Sequence, residues 1–346
     1  MLRIGIVGAS GYTGVELIRL LAGHPGVELS VVTSRQHAGK PLAAVFPSLG
    51  HRLPLTYQNP APDELAAQAD VFFTAVPHKT AMAIAPVLLA ADKKVVDLSA
   101  DFRLHDSAVY EAWYEPHTAP ELLAEAIYGL PELYRDRIRA CRLLANPGCY
   151  PTSVILALAP LLRRRLLDPA SIIVDSKSGT SGAGRAASLG TLYCEVADGF
   201  RPYKVGGLHR HIPEMEQELS LLHDGAVTIS FTPHLLPISR GILSTIYGAP
   251  TLPLSDEDVQ RIYEEDYRNE YFVRVCPPDM PPATQQVRGS NFCDIGVKVD
   301  PRTGRLILMS AIDNIVKGAA GQAIQNMNLM CGFEETTGLT ALPFFP

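Results

Sequence analysis

The chain of 346 residues has little that would tie it to a membrane, to nucleic acid or to an oxidising compartment. Its six cysteines (Cys141, Cys149, Cys194, Cys276, Cys293 and Cys331) are scattered. No CxxC or HExxH accompanies them, so neither a disulfide framework nor a bound metal is expected. Basic residues are not in excess: 30 Lys and Arg face 36 Asp and Glu, for a net charge of −6. That balance offers no electrostatic hold on nucleic acid or anionic lipid. No uncharged apolar run is long enough to cross a bilayer, since residues 154–162 are interrupted by Pro160 and followed by Arg163-Arg164-Arg165. The first residues run straight into a glycine cluster, as a strand does and a secretory leader does not. A reducing cytoplasm is therefore the expected compartment.

What remains is an ordinary globular composition, 47% hydrophobic and 19% charged, in a chain long enough for two domains. Leu2-Arg3-Ile4-Gly5-Ile6-Val7 reads as a strand, Gly8-Ala9-Ser10-Gly11-Tyr12-Thr13-Gly14 follows, and Val15-Glu16-Leu17-Ile18-Arg19-Leu20-Leu21 has helical spacing. Strand, glycine loop and helix form the context in which backbone N–H groups approach a pyrophosphate. The spacing is GxxGxxG, not the commoner GxGxxG, and a tight turn without ligand is the bland alternative. The next strand, Val27-Glu28-Leu29-Ser30-Val31-Val32, ends in Thr33-Ser34-Arg35. A carboxylate there would take a ribose 2′-OH, whereas the Ser34 hydroxyl and the Arg35 guanidinium suit a 2′-phosphate. NADP(H) is therefore expected over NAD(H).

A second stretch carries nucleophile chemistry: Asn146-Pro147-Gly148-Cys149-Tyr150-Pro151-Thr152, then the apolar run 154–159. Pro151 suits a first helical turn, whose N–H groups lack intrahelical partners. The helix dipole and those N–H groups favour thiolate at Cys149 and could hold an oxyanion after attack on a carbonyl. The alternative is a small buried apolar thiol. A third stretch, Gly207-Leu208-His209-Arg210-His211-Ile212-Pro213-Glu214, offers two histidines and a carboxylate for proton transfer. Together these read as a Cys/His pair for covalent catalysis.

With these stretches, Asp97-Leu98-Ser99-Ala100-Asp101-Phe102-Arg103, the Gly/Ser-rich run 176–185 and Asp313-Asn314 with Lys317-Gly318-Ala319-Ala320-Gly321-Gln322-Ala323, the chain resembles the N-acetyl-γ-glutamyl-phosphate reductase family nearly end to end. That family lies in the aspartate-semialdehyde dehydrogenase superfamily. The resemblance implies reductive dephosphorylation of an acyl phosphate through a thioester on Cys149, with His209 as acid–base group. It implies a small-molecule substrate and a homodimer or homotetramer. It places the run 178–185, with Gly182, against the cofactor and Asn314 near the nicotinamide. Residues expected to hold cofactor are thus Gly8, Ser10, Gly11, Tyr12, Thr13, Gly14, Ser34, Arg35, Gly182 and Asn314. Those expected to serve substrate are Arg103, Tyr203, His211 and Glu214, the last also by orienting the histidines. The same chemistry on aspartyl phosphate or carrier-linked aminoadipyl phosphate, a Cys/His hydrolase or acyltransferase, and a non-catalytic NADP sensor stay open at this point.

The expected fold is α/β. A Rossmann-type domain over 1–148, completed by a C-terminal helical segment 312–346, joins an α+β domain over 149–311 with a mixed sheet. Buried parallel strands are expected at 70–76, 94–98 and 143–146, with a helix at 80–91. In the second domain, strands are expected at 172–175, 227–231, 241–247 and 306–309, a helix at 254–269, an irregular loop at 277–282 and a last helix at 314–330.

Overall fold

Strand β1 (Leu2–Val7) buries its last four residues and is flanked on both sides by parallel neighbours. The structure is a computed structural model that describes residues 1–50 and 52–345. It divides into two compact units: Met1–Pro147 with Ala319–Thr340, and Gly148–Gly318 with the chain end from Ala341. Residues 312–318 and 341–345, assigned from sequence to the returning segment of the first domain, group with the second unit.

The first unit holds β1 with β2 (Val27–Thr33), β3 (Tyr57–Gln58), β4 (Val71–Thr74), β5 (Lys94–Asp97), β6 (Ile127–Tyr128) and β7 (Leu143–Ala145). They form one sheet in the order β3-β2-β1-β4-β5-β7-β6, every pair parallel. Strands buried on both faces need no polar alternation, which is why β4 reads Val-Phe-Phe-Thr with all four residues inside. The strand order reverses at β1. A doubly wound sheet opens its crevice for ligands there, beyond the strand C-termini. The returning helix Gly321–Met330 is buried along its length although it carries Gln322, Gln325, Asn326 and Asn328. Those amides are spent on other segments: Gln322 Nε2 and Asn326 Nδ2 donate to the Gly129 carbonyl, and Asn326 Nδ2 also lies 3.1 Å from Asn146 Oδ1.

The second unit holds β8 (Ile173–Gly179), β9 (Arg201–Pro202), β10 (Ser230–Leu236), β11 (Ile242–Gly248), β12 (Val273–Val275), β13 (Cys293–Val299) and β14 (Leu306–Ile312). Their order is β12-β13-β14-β11-β8-β10-β9, a mixed sheet in which β8/β10 and β12/β13 are parallel and the rest antiparallel. Helix Cys149–Arg163 packs on this sheet with residues 150–162 all buried. Pro160 cannot donate to the carbonyl one turn back at Leu156, and the Tyr267 hydroxyl donates there instead. Ser153 Oγ lies 3.0 Å from Ser244 Oγ and 3.1 Å from Ser310 Oγ, which pins the first turns of the helix to β11 and β14.

Several elements depart from the expected positions. The strand expected at 227–231 is β10, three residues later, and it runs through Pro233. Strands β12 and β13 were not anticipated. The last helix is not one helix: Val316–Ala320 winds as a π-helix before Gly321–Met330 continues as α.

Candidate active site

In the first unit, the turn after β1 is fixed by backbone sterics. Gly8 has φ +87°, and a Cβ there would sit 2.3 Å from the Ala75 carbonyl oxygen, so no other residue fits. Its N–H donates to Thr33 Oγ1 at 3.2 Å, tying the loop to the end of β2. Gly11 stands at the start of helix Tyr12–Leu21, which no side chain caps. A Cβ on Gly11 would meet nothing nearer than 3.9 Å. Unspent N–H groups beside open space fit a dinucleotide pyrophosphate. Ser10 Oγ lies 2.9 Å from Ser34 Oγ, while Tyr12 and Arg35 are exposed, Thr13 is half-buried and Gly14 is packed inside. Hydroxyls, an exposed guanidinium and no carboxylate at the end of β2 fit a nucleotide that carries a 2′-phosphate.

The second unit gathers the thiol and the histidines. Cys149 is the first residue of helix Cys149–Arg163, and Gly148 before it offers no capping side chain. The Gly148 peptide is gripped at both ends: its N–H donates to Glu214 Oε1 at 2.7 Å, and its carbonyl accepts from Thr152 N and Thr152 Oγ1. Glu214, in the first turn of helix Ile212–His223, is 1% exposed. Its carboxylate therefore serves the backbone beside the thiol. The underside of Cys149 is Gly318, in the middle of the π-helix, where a Cβ would fall 2.8 Å from the Cys149 Cβ. Single-turn π insertions often accompany functional sites, and this one lets backbone approach the Cys149 side chain.

His209 is buried in an aromatic enclosure. Tyr150, Tyr203, His211 and Phe231 present ring edges or faces at centroid distances of 5.4, 5.6, 4.9 and 5.3 Å. The His211 backbone N–H donates to His209 Nδ1 at 3.1 Å. Burial, with the positive charges of Lys204 and Arg210 nearby, pulls the His209 pKa down to about 4. The Tyr150 and Tyr203 hydroxyls are 2.9 Å apart. Burial pushes Tyr203 up to about 12 and Tyr150 higher still, and negative charge on the Cys149 sulfur pushes both the same way. Thiol, two phenols and imidazole thus share one environment.

Other predicted residues fall in two groups. Asn314 and Gly182 are neighbours within the second unit: a Cβ on Gly182 would lie 3.6 Å from Asn314 Nδ2, which donates to Ser181 Oγ, while Asn314 Oδ1 accepts from Gly241 N. Arg103 belongs to the first unit, where its Nε donates to the Asn146 carbonyl at 2.8 Å and its Nη2 to that of Leu98 at 2.9 Å. Its guanidinium braces the chain just ahead of the Pro-Gly-Cys turn. Sequence reasoning offered Lys204 as one of several cations that could serve an anionic substrate, and it gave Tyr150 and Gly318 no part in this environment. No pattern around Tyr150 or Gly318 signals one, because their partners come from distant segments. Among the described residues, no group of three or more His, Cys, Asp or Glu could hold a metal ion.

Two family models match the chain: residues 3–141 match the semialdehyde dehydrogenase NAD binding domain, and residues 149–314 match the semialdehyde dehydrogenase dimerisation domain. The solved structure of aspartate semialdehyde dehydrogenase II from Vibrio cholerae, complexed with ASA, superposes at a TM-score of 0.73 with 18% identity, over 96% of this chain and 98% of that one. The aspartate semialdehyde dehydrogenase with NADP from Candida albicans gives 0.72 with 16% identity, over 96% and 99%. Fold and site thus define the semialdehyde dehydrogenase class. Within it, the N-acetyl-gamma-glutamyl-phosphate reductases of Desulfotalea psychrophila and Geobacter metallireducens are 62% and 61% identical over 346 residues, the whole length of both chains. The chain belongs to the N-acetyl-gamma-glutamyl-phosphate reductase family.

Proposed function

We propose that the chain reduces N-acetyl-γ-glutamyl phosphate to N-acetylglutamate semialdehyde and phosphate with NADPH, a step of arginine biosynthesis. The observation that carries this reading is the placement of Cys149. It opens a buried helix, with His209, Tyr150 and Tyr203 in its surroundings, in a chain similar over its full length to reductases of that name.

Cys149, as thiolate, attacks the acyl carbon and the phosphate departs, leaving a thioester and splitting one hard step into two easier ones. NADPH held by Gly8, Ser10, Gly11, Tyr12, Thr13 and Gly14, with its 2′-phosphate on Ser34 and Arg35, supplies the hydride that converts the thioester carbon to the aldehyde level. Gly182 and Asn314 are assigned to the nicotinamide end. His209 faces the oxygen of the reacting carbonyl, where negative charge develops in both halves of the reaction. Tyr203 and His211 border that position and are assigned to substrate. Arg103 and Glu214 act one step removed, through the backbone of residues 146–148.

A homodimer or homotetramer is part of this reading, supported by the match to a dimerisation domain. A cytoplasmic location is supported by six free cysteines; among the described residues, no helix is long and apolar enough to cross a membrane. The test is the reverse reaction, NADP⁺ reduction with N-acetylglutamate semialdehyde, with and without phosphate, beside aspartate semialdehyde and NAD⁺. Phosphate-dependent reduction confined to the acetylated substrate and NADP⁺ is expected. Activity with aspartate semialdehyde alone would move the protein to another pathway. A ten-fold preference for NAD⁺ would overturn the cofactor assignment.

A further inference from the structure

We infer that Asp313 is a positioning residue for the thiol, its buried carboxylate winding residues 315–318 so that Gly318 backs Cys149; this rests on the reaction proposed above, in which Cys149 is the nucleophile. Asp313 directly follows β14 and is wholly buried. A carboxylate so placed needs donors on every side, and it has them. Its Oδ1 accepts from the backbone N–H groups of Ile315 at 2.8 Å and Val316 at 3.1 Å. Its Oδ2 accepts from the Gly289 N–H at 2.7 Å and from Arg240 Nη1 at 3.4 Å.

The main chain of Asp313 completes the arrangement. Its carbonyl accepts from the Gly318 N–H at 3.0 Å, the five-residue bond of a π turn. In an α turn the same carbonyl would take the N–H of Lys317. The carboxylate holds the first N–H groups, which a helix start leaves without intrahelical partners, and the carbonyl is left to Gly318. The extra residue in the turn puts glycine where only glycine fits. A Cβ on Gly318 would lie 2.8 Å from the Cys149 Cβ and 3.2 Å from its Cα.

The other oxygen ties this turn to distant parts of the second unit. Arg240 comes from the connection between β10 and β11, and Gly289 from the loop before β13. Gly289 has φ +77° and carries the Phe344 ring against its open face, while the Phe344 N–H donates to the Arg288 carbonyl at 3.0 Å. Both carboxylate oxygens are therefore in use. An asparagine has one acceptor oxygen and would set its NH2 against donors in either orientation. Those donors are Gly289 N–H and Arg240 on one side, and Ile315 and Val316 N–H on the other.

Asp313→Asn tests this in three readouts, two of which need no turnover. Amide hydrogen exchange over residues 315–320 is expected to quicken at least ~10-fold, with helix Ile212–His223 unchanged. Iodoacetamide labelling, mapped by mass spectrometry, is expected to keep the wild-type pH profile at Cys149, because the helix N-terminus beside it is intact. Wholly buried Cys293 should stay unlabelled, as it does only in a folded chain. In the reverse reaction kcat is expected to fall ~10–10²-fold while both KM values stay level, the mark of a misaimed nucleophile. Wild-type kcat, a kcat loss without faster exchange at 315–320, or a shifted labelling profile would each overturn the inference. Exchange and labelling report on the turn even if the wild type shows no such turnover, so failure of the reaction and failure of the inference look different. Should Asp313→Asn label Cys293, Gly318→Ala decides: it leaves the carboxylate alone and presses a methyl group on Cys149. The same kcat loss with unchanged exchange at 315–320 is expected there, and wild-type turnover would sink the positioning role.

Discussion

The proposed reaction puts an anion at a helix N-terminus in each unit, and the two units build those termini by different means. In the first unit, the work is done by backbone alone. Gly8 holds a conformation that no side chain permits, Gly11 leaves open space, and the N–H groups of helix Tyr12–Leu21 go uncapped. In the second unit, the equivalent turn is crowded. Glu214 holds the Gly148 N–H, Gly318 presses on Cys149 from below, and His209 stands nearby in a ring of aromatics. A loop that only binds needs room and unspent donors. A loop that must also aim a nucleophile needs its backbone pinned, since a 1 Å misplacement costs ~10²-fold in rate.

Replacing the thiol is the strongest way to break the comparison. Cys149→Ser should cut turnover by at least ~10⁴-fold, as loss of a covalent nucleophile does. NADPH binding, measured by fluorescence titration, should stay within ~3-fold of wild type, because the first unit's loop carries it. A variant that kept near-normal turnover would mean that the second unit is not a thioester site.

Next come the glycines of the first unit. Gly8→Ala forces a Cβ against the Ala75 carbonyl at a positive φ and should destabilise the protein by ~1–3 kcal/mol, visible in urea melts, while NADPH affinity collapses. Gly11→Ala meets no protein atom inside 3.9 Å, so stability should hold within ~0.5 kcal/mol. Its cost should appear only as a higher KM for NADPH, where the methyl group crowds the pyrophosphate. If both variants behaved alike, the loop would be a structural turn and not a cradle.

These contrasts explain how far the sequence could be read. The glycine loop was legible as a turn between strand and helix because those elements are consecutive in the chain. The parallel strands were legible because burial on both faces leaves continuous apolar runs. Cys149 stood out by its Asn-Pro-Gly-Cys context, but the residues around it come from segments at 203–214 and 316–320 that only the fold assembles. Strand β13 was missed because Asp294 sits inside it. The structure hides that charge by pairing it with Arg274 of β12 at 2.6 Å. Strand β10 was displaced because Pro233 argues against a paired strand, yet it lies between β8 and the two-residue edge strand β9. The small residues of the last helical segment allow close packing, but burial of every residue of Gly321–Met330 was not legible, since its amides find backbone partners that no local pattern predicts.

Glu214 is where the comparison can be sharpened most finely. Sequence pairs it with the histidines, and its Oε1 accepts a hydrogen bond from the Gly148 N–H at 2.7 Å. Glu214→Ala strips a buried donor of its partner, which costs ~1–3 kcal/mol if nothing replaces it. The freed turn should let Cys149 drift, so kcat should fall ~10–10²-fold while the KM for NADPH stays level. Glu214→Gln keeps an oxygen acceptor for Gly148 N and should recover most of that loss. Were Glu214 instead a partner to His209 by charge, the glutamine variant would fail as badly as alanine and the His209 ring would titrate differently. The rate of Cys149 alkylation separates these cases without any turnover. It should change in Glu214→Ala and return towards normal in Glu214→Gln, because what the carboxylate supplies is a fixed acceptor for the peptide that aims the sulfur.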